Sequence, residues 1–174
     1  SLSLNKNIKL IKLIKKIVNL RKIIKKKNPD IIQTWMYHSN FFSLFVQRQY
    51  KDKIFWNIRH SELNVKISKK MTIFISIVCG FFSRIVPRKI IYCSEKSIEF
   101  HENSHFYSKN KTKLIDNGYD DKDYYPSLHL RSNFKKKNKI IKSDIVLGYA
   151  GRYARQKNIK SLLLAFSKIT KHHN

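Results

Sequence analysis

The sequence predicts an α/β protein built on a parallel sheet. Apolar stretches with helical spacing alternate with short β-prone runs through about residue 115, which is typical of βα repeats. The short runs are β-prone and mostly apolar, which is consistent with buried parallel strands. The same alternation restarts after a polar segment. We therefore expect two Rossmann-like domains, both incomplete.

The first predicted helix spans residues 8–27, where isoleucines recur every three to four positions among lysines. Asn28-Pro29 ends this helix, and Ile31–Trp35 follows as a strand. The sequence then repeats the pattern, with predicted helices over 40–49, 71–85 and 95–101 and predicted strands over 54–58, 89–93 and 113–115.

Asn117-Gly118 is a turn signal, and the chain becomes polar from residue 120 to residue 138. We expect Gly118 to use the positive φ that glycine permits. We predict a first domain over 1–127, a linker over 128–143 and the start of a second domain over 144–174. The second domain is expected to open with a strand over Ile145–Ala150 and a helix from Asn158 to about Lys171.

The chain has 174 residues, of which 42% are apolar, so a folded core is expected. Its formal charge is 37 − 11 = +26, a common signature of nucleic-acid binding. However, 29 of the basic residues are Lys and 8 are Arg, and Arg reads bases and phosphates better. Compositional bias with a solvated surface, a membrane surface and a nucleic-acid partner all stay open, in that order of preference.

Cys79 and Cys93 have no metal-type spacing and are expected to be buried free thiols of a reducing cytosol. Met71–Phe82 is apolar but only about 12 residues long, too short for a bilayer, which predicts a buried or interfacial helix. The basic helix over 8–27 lacks acidic residues and predicts contact with anionic lipid at the inner face of the cell membrane.

The segment Gly148–Lys157 carries the clearest chemical signal. Small residues at the end of the predicted strand would let a ligand approach, and Arg152 and Lys157 would present cations to it. Such cations suit a diphosphate leaving group. Taken alone, the pattern is equally compatible with an exposed basic loop.

Five ordered blocks resemble the family 4 glycosyltransferases, which are retaining enzymes of the GT-B fold. The blocks are residues 28–35, residues 56–61, residues 90–94 with His101, residues 113–120 with Tyr125-Pro126, and Gly151-Arg152 with Lys157 and Ala165. The resemblance implies transfer of a sugar from a nucleotide-diphosphate sugar to a hydroxyl of a glycan or lipid-linked acceptor. It implies no metal and no cofactor beyond that co-substrate.

The resemblance also implies the site residues. Arg59 and His60 would contact acceptor or donor as catalytic residues, although a structural histidine is equally favoured at such a position. Asn117 and Gly118 would shape the cleft. The donor diphosphate would be held by Gly151, Arg152 and Lys157, whereas Arg155 is more simply an exposed base and His101 a packing residue.

This chain departs from the family pattern at Asp116, at Asn158 and at His105-Phe106-Tyr107. The family's Gly-rich first loop and its C-terminal pair of glutamates are absent, so we expect a fragment that is inactive alone. Two rival interpretations stay open: a non-catalytic truncated remnant, and a basic α/β module that binds nucleic acid.

Overall fold

The computed structural model describes residues 2–65, 68–141, 143–154 and 157–172, without the side chains of residues 2–10, 47–48 and 172. The chain divides into two compact units, Ser1–Gly118 and Tyr119–Asn174, called here the N-terminal and C-terminal units.

The N-terminal unit contains a four-stranded parallel sheet. Its strands are β1 (Ile32–Trp35), β2 (Ile54–Ile58), β3 (Lys89–Tyr92) and β4 (Thr112–Leu114), and they lie side by side in chain order. The predicted α/β class with a parallel sheet is confirmed, and the topology is Rossmann-like.

Helices connect the strands, as parallel pairing requires. They are α1 (Leu2–Lys27), α2 (Met36–Ser43), the short α3 (Gln47–Tyr50), α4 (Lys70–Phe82) and α5 (Glu95–Ser104). Single 3-10 turns over Lys51–Lys53 and Lys109–Lys111 precede β2 and β4. In the packed unit, α2 lies on β1 and β2 and against α4, whereas α5 lies on β3 and β4.

The predicted helix over 40–49 is wrong in its bounds, because α2 begins at Met36 and ends at Ser43. The hydroxyl of Ser43 donates to the carbonyl of Asn40 at 2.6 Å and accepts from the indole N–H of Trp56 at 2.8 Å. Such side-chain bonds to the backbone compete with helix continuation, and a turn follows.

The core lies around β2. Ile54, Trp56 and Ile58 are wholly buried, and Tyr37 and Tyr92 join them from α2 and β3. Each such side chain contributes about 1.5 to 3 kcal/mol through burial. This central strand therefore anchors the residues that follow it along the chain.

Helix α4 contacts the rest of the unit through small buried side chains as well as through the partly buried Ile73 and Ile75. Ser76, Cys79 and Gly80 are buried, and a Cβ added to Gly80 would lie 1.6 Å from the carbonyl oxygen of His105. The hydroxyl of Ser76 lies 2.8 Å from Nδ1 of His105. Glycine thus allows the backbone after α5 to pass directly over α4.

The C-terminal unit contains two helices among its described residues, α6 (Leu128–Lys137) and α7 (Ile159–His172). The helix predicted from Asn158 is confirmed. The strand predicted over Ile145–Ala150 is wrong, since these residues are exposed and carry no strand pairing. A β-prone run forms a strand only where a neighbouring strand accepts its hydrogen bonds.

The polar segment that we predicted as a linker contains α6. Ser127 caps this helix, because its hydroxyl accepts from the backbone N–H of Leu130 at 3.2 Å. A helix that is polar on most faces lacks the apolar stripe that would reveal it in the sequence.

The two cysteines differ. Cys79 is buried, and burial raises the pKa of its thiol to about 12. Cys93 is only half-buried, so the expectation of two buried thiols is wrong for this residue. Within the described ranges, no helix is both long and apolar enough to cross a membrane.

Candidate functional site

The carboxyl ends of the four strands meet at one edge of the sheet, where α/β proteins usually bind ligands. Arg59 follows β2 directly, and Asn117 lies three residues beyond the end of β4. The guanidinium of Arg59 donates from Nη1 to Oδ1 of Asn117 at 2.6 Å. The structure therefore joins two predicted site residues that are 58 positions apart.

A third residue of this edge is Trp35, the last residue of β1. The guanidinium carbon of Arg59 lies 4.8 Å from the centroid of the Trp35 ring, within cation-π range. The Trp35 side chain remains 49% exposed. We call Trp35, Arg59 and Asn117 the edge cluster; it combines a flat aromatic surface, a permanent cation and an amide.

Sequence reasoning assigned Trp35 only to its strand and did not single it out as a site residue. The available signal was its place at the carboxyl end of a predicted parallel strand, because α/β folds bind ligands at that edge of the sheet. The next residue, Met36, has a φ of 69°. Left-handed backbone at a non-glycine residue is strained, and it ends β1 abruptly at Trp35.

His60 also lies at this edge and is exposed. Its ring meets the ring of Tyr37 edge-on, with centroids 5.9 Å apart. Partial desolvation lowers the pKa of His60 below its ordinary value, which favours the neutral imidazole. A neutral imidazole can donate one hydrogen bond and accept another, as an acceptor hydroxyl would require.

The backbone of His60 is held by Ser97 of α5. The Ser97 hydroxyl donates to the carbonyl oxygen of His60 at 2.6 Å. The backbone carbonyl of Ser97 in turn accepts from Nδ1 of His101 at 2.6 Å. The His60 main chain is thus tied to α5, which limits its motion at the sheet edge.

His101 is completely buried, and its Nε2 lies 2.8 Å from the hydroxyl of Tyr37. Because Nδ1 faces a carbonyl and must donate, Nε2 accepts and the Tyr37 hydroxyl donates. Burial lowers the pKa of His101 to about 4, which the bond to Ser97 opposes in part and neighbouring His105 and His60 reinforce. Neutral His101 holds α2 and α5 together and does not reach the surface.

Gly118 does not perform the role expected from its flexibility. No described glycine has positive φ, and a Cβ added to Gly118 would meet no atom within 4 Å. The expectation of a glycine-dependent turn is therefore wrong. Asn117 contributes through its side chain instead, as the partner of Arg59.

Gly151, Arg152 and Lys157 belong to the C-terminal unit. Arg152 and Lys157 are exposed, and Lys157 precedes the start of α7 by two residues. A Cβ on Gly151 would lie 2.7 Å from the Tyr149 hydroxyl. Arg155 lies outside the described residues.

Metal ligands do not form a cluster in the part of the chain that the structure describes, where no group of three or more His, Cys, Asp or Glu could hold an ion. A surface pocket of about 530 Å³ lies at the other edge of the sheet, beside Lys111 and Glu102. It is separate from the edge cluster.

The sequence matches no protein-family model and no curated protein.

Proposed function

We propose that this chain belongs to a retaining glycosyltransferase of the GT-B type, which transfers a sugar from a nucleotide-diphosphate sugar to a hydroxyl of a glycan or lipid-linked acceptor. The N-terminal unit would bind the acceptor, and residues 144–174 would begin the nucleotide-sugar side. The observation that carries the proposal is the edge cluster at the carboxyl edge of a parallel sheet.

The chemistry of the edge cluster suits a carbohydrate. The apolar face of a sugar ring packs on an aromatic side chain, and its hydroxyls pair with guanidinium and amide groups. Trp35 offers the aromatic face, while Arg59 and Asn117 are held at 2.6 Å from one another and so are oriented before a ligand arrives.

The donor side of the proposal concerns Arg152 and Lys157. A nucleotide-diphosphate leaving group gains negative charge as the glycosidic bond breaks, and fixed cations stabilise that charge. Exposure of both side chains leaves them available to a ligand. In a retaining reaction of this type, the departing phosphate would accept the proton of the acceptor hydroxyl, so no protein base is required.

The test is a transfer assay on the polypeptide encoded by the complete reading frame, with radiolabelled UDP- and GDP-hexoses and a panel of oligosaccharide and lipid-linked acceptors. Proton NMR of the product gives the anomeric configuration, which should match that of the donor. Folded protein that transfers no sugar from any donor, or that inverts the configuration, would contradict the proposal.

A further inference from the structure

Helix α4 exposes its largest apolar side chains and buries small ones. Met71, Phe74 and Phe81 are 61% to 64% exposed, whereas Ser76 and Cys79 are wholly buried. A surface helix normally does the opposite, with its apolar stripe directed to the core. The largest apolar side chains of α4 therefore point away from the core, although Ile73 and Ile75 of the same helix pack against it.

The exposed side chains form a continuous stripe. At about 100° per residue, the exposed positions 71, 74 and 81 fall within an arc of roughly 80°, with the half-buried Val78 between them, on the side opposite Gly80. The 13 residues of α4 extend about 20 Å. This length is well short of the roughly 30 Å hydrocarbon thickness, so α4 can lie on a bilayer and cannot cross it.

Phe106 extends the stripe from another part of the chain. Its ring stacks on Phe81, with centroids 4.8 Å apart and planes 20° apart, and 51% of the residue is exposed. The backbone of Phe106 has a left-handed φ of 63°. His105 and Tyr107 on either side are buried, so the strained residue between them is held outward beside α4.

Basic residues flank the stripe at both ends. Lys69 and Lys70 lie at the beginning of α4, and Arg84 and Arg88 lie beyond its end; all four are exposed. The chain has no acidic residue between Glu62 and Glu95. The surface therefore combines apolar side chains at its centre with positive charge at its margins.

We propose that α4 and Phe106 form a docking surface for an anionic lipid bilayer. The phenylalanines would enter the boundary between headgroups and acyl chains, while the flanking cations would pair with lipid phosphates. The flanking positive charge favours an anionic bilayer over a second copy of the chain as the partner of this surface. Two copies joined here would bring like charges together. The proposal does not depend on glycosyl transfer.

The test measures binding of the 174-residue chain to vesicles of phosphatidylethanolamine and phosphatidylglycerol at 7:3, by flotation in 0.1 M and 0.5 M NaCl. A chain of charge +26 will adsorb to anionic vesicles in low salt through charge alone. In 0.5 M salt the screening length is about 4 Å, so the binding that remains reports apolar insertion.

The decisive variant is Phe74→Ser/Phe81→Ser, and the matched control is Leu128→Ser/Leu130→Ser, which removes two exposed apolar residues from α6. We expect the α4 variant to bind vesicles at least about tenfold more weakly than wild type in 0.5 M salt. The α6 control should stay within about twofold of wild type. Phe106→Gly, whose left-handed backbone glycine tolerates, should show a smaller loss in the same direction.

Circular dichroism melts of each variant establish that the fold is kept. High-salt binding of the folded α4 variant equal to that of wild type would overturn the proposal, as would a loss confined to the α6 control. Sedimentation velocity without lipid tests whether a second copy of the chain covers this surface instead. A wild-type dimer that the α4 substitutions dissociate would also overturn the proposal, because a second copy would then cover the stripe.

Discussion

Arg59 lies over the face of Trp35 and donates to the side-chain oxygen of Asn117, so that one guanidinium joins residues from the ends of β1, β2 and β4. The planar guanidinium stacks its face on the ring and donates within its own plane, whereas an ammonium group has no flat face to stack. The three side chains are consequently fixed relative to one another at the edge of the sheet.

This geometry predicts that Arg59→Lys will weaken oligosaccharide binding by about tenfold, although it keeps the charge. Isothermal titration calorimetry measures the affinity. Asn117→Ala should give a smaller loss, because Arg59 would keep its contact with Trp35 but lose its orienting partner. Equal affinity for Arg59→Lys and wild type would show that charge alone matters here.

The buried His101 predicts a pH dependence of stability. Its pKa is about 4 in the folded protein, against an ordinary value of 6.5, so the unfolded chain binds more protons between these two values. The contribution of His101 to the free energy of unfolding is therefore fully present above pH 6.5. This contribution is lost as the pH falls toward 4. The whole loss in the free energy of unfolding is about 3 kcal/mol.

Urea denaturation at pH 4 to 8 of wild type, His101→Gln and Tyr37→Phe separates burial from hydrogen bonding. His101→Gln should flatten the profile, with a residual slope from His60 and His105, whose pKa values burial also lowers. Tyr37→Phe should keep the slope, because His101 remains buried. A profile unchanged in His101→Gln would refute this assignment.

Substitution of Gly80 tests the packing of α4, and Gly118 provides a control outside this helix. Gly80→Ala should lower the free energy of unfolding by about 3 kcal/mol or more, because the new Cβ would lie 1.6 Å from the His105 carbonyl oxygen. Gly118→Ala is the matched control, with no atom within 4 Å of its Cβ and no positive φ. It should change stability by less than about 0.5 kcal/mol. Similar thermal melts for both variants would argue against the described contact.

The donor site predicts the behaviour of Arg152→Ala and Lys157→Ala. Each should reduce transfer by the complete polypeptide at least about a hundredfold, because each removes a cation from the departing diphosphate. Melting temperatures should be unchanged, since both side chains are exposed. Lys160→Ala, at an exposed position in α7, serves as the control. Normal turnover in both site variants would show that Arg152 and Lys157 do not stabilise the departing diphosphate.

The sequence allowed the sheet to be predicted because β1 to β4 lie in short β-prone runs that alternate with stretches of helical period. The sequence did not show that residues 145–150 form no strand. A strand needs a neighbouring strand to accept its hydrogen bonds, and the local sequence pattern does not reveal whether one is present. Helix α6 was missed for a related reason: it is mostly polar, so its apolar period is weak, and its local signals were the cap at Ser127 and the lysines of its last turn.

Arg59 and Asn117 were identifiable one at a time from their positions after predicted strands. Their hydrogen bond was not, because it joins positions 58 apart through the register of three strand pairs. The outward stripe of α4 was equally hidden. An apolar run predicts burial, and only the buried small residues on its other face show that the large side chains point away from the core.

The most direct test of a carbohydrate site at the edge cluster is tryptophan fluorescence during titration with a panel of oligosaccharides. Trp56 is wholly buried and Trp35 half exposed, so an occupied site should change the emission of Trp35, and Trp35→Ala should abolish that change. Single-stranded RNA serves as the competing ligand. The proposal predicts saturable binding of at least one oligosaccharide that persists in 0.5 M salt. RNA binding that salt abolishes, with no response to any oligosaccharide, would contradict it.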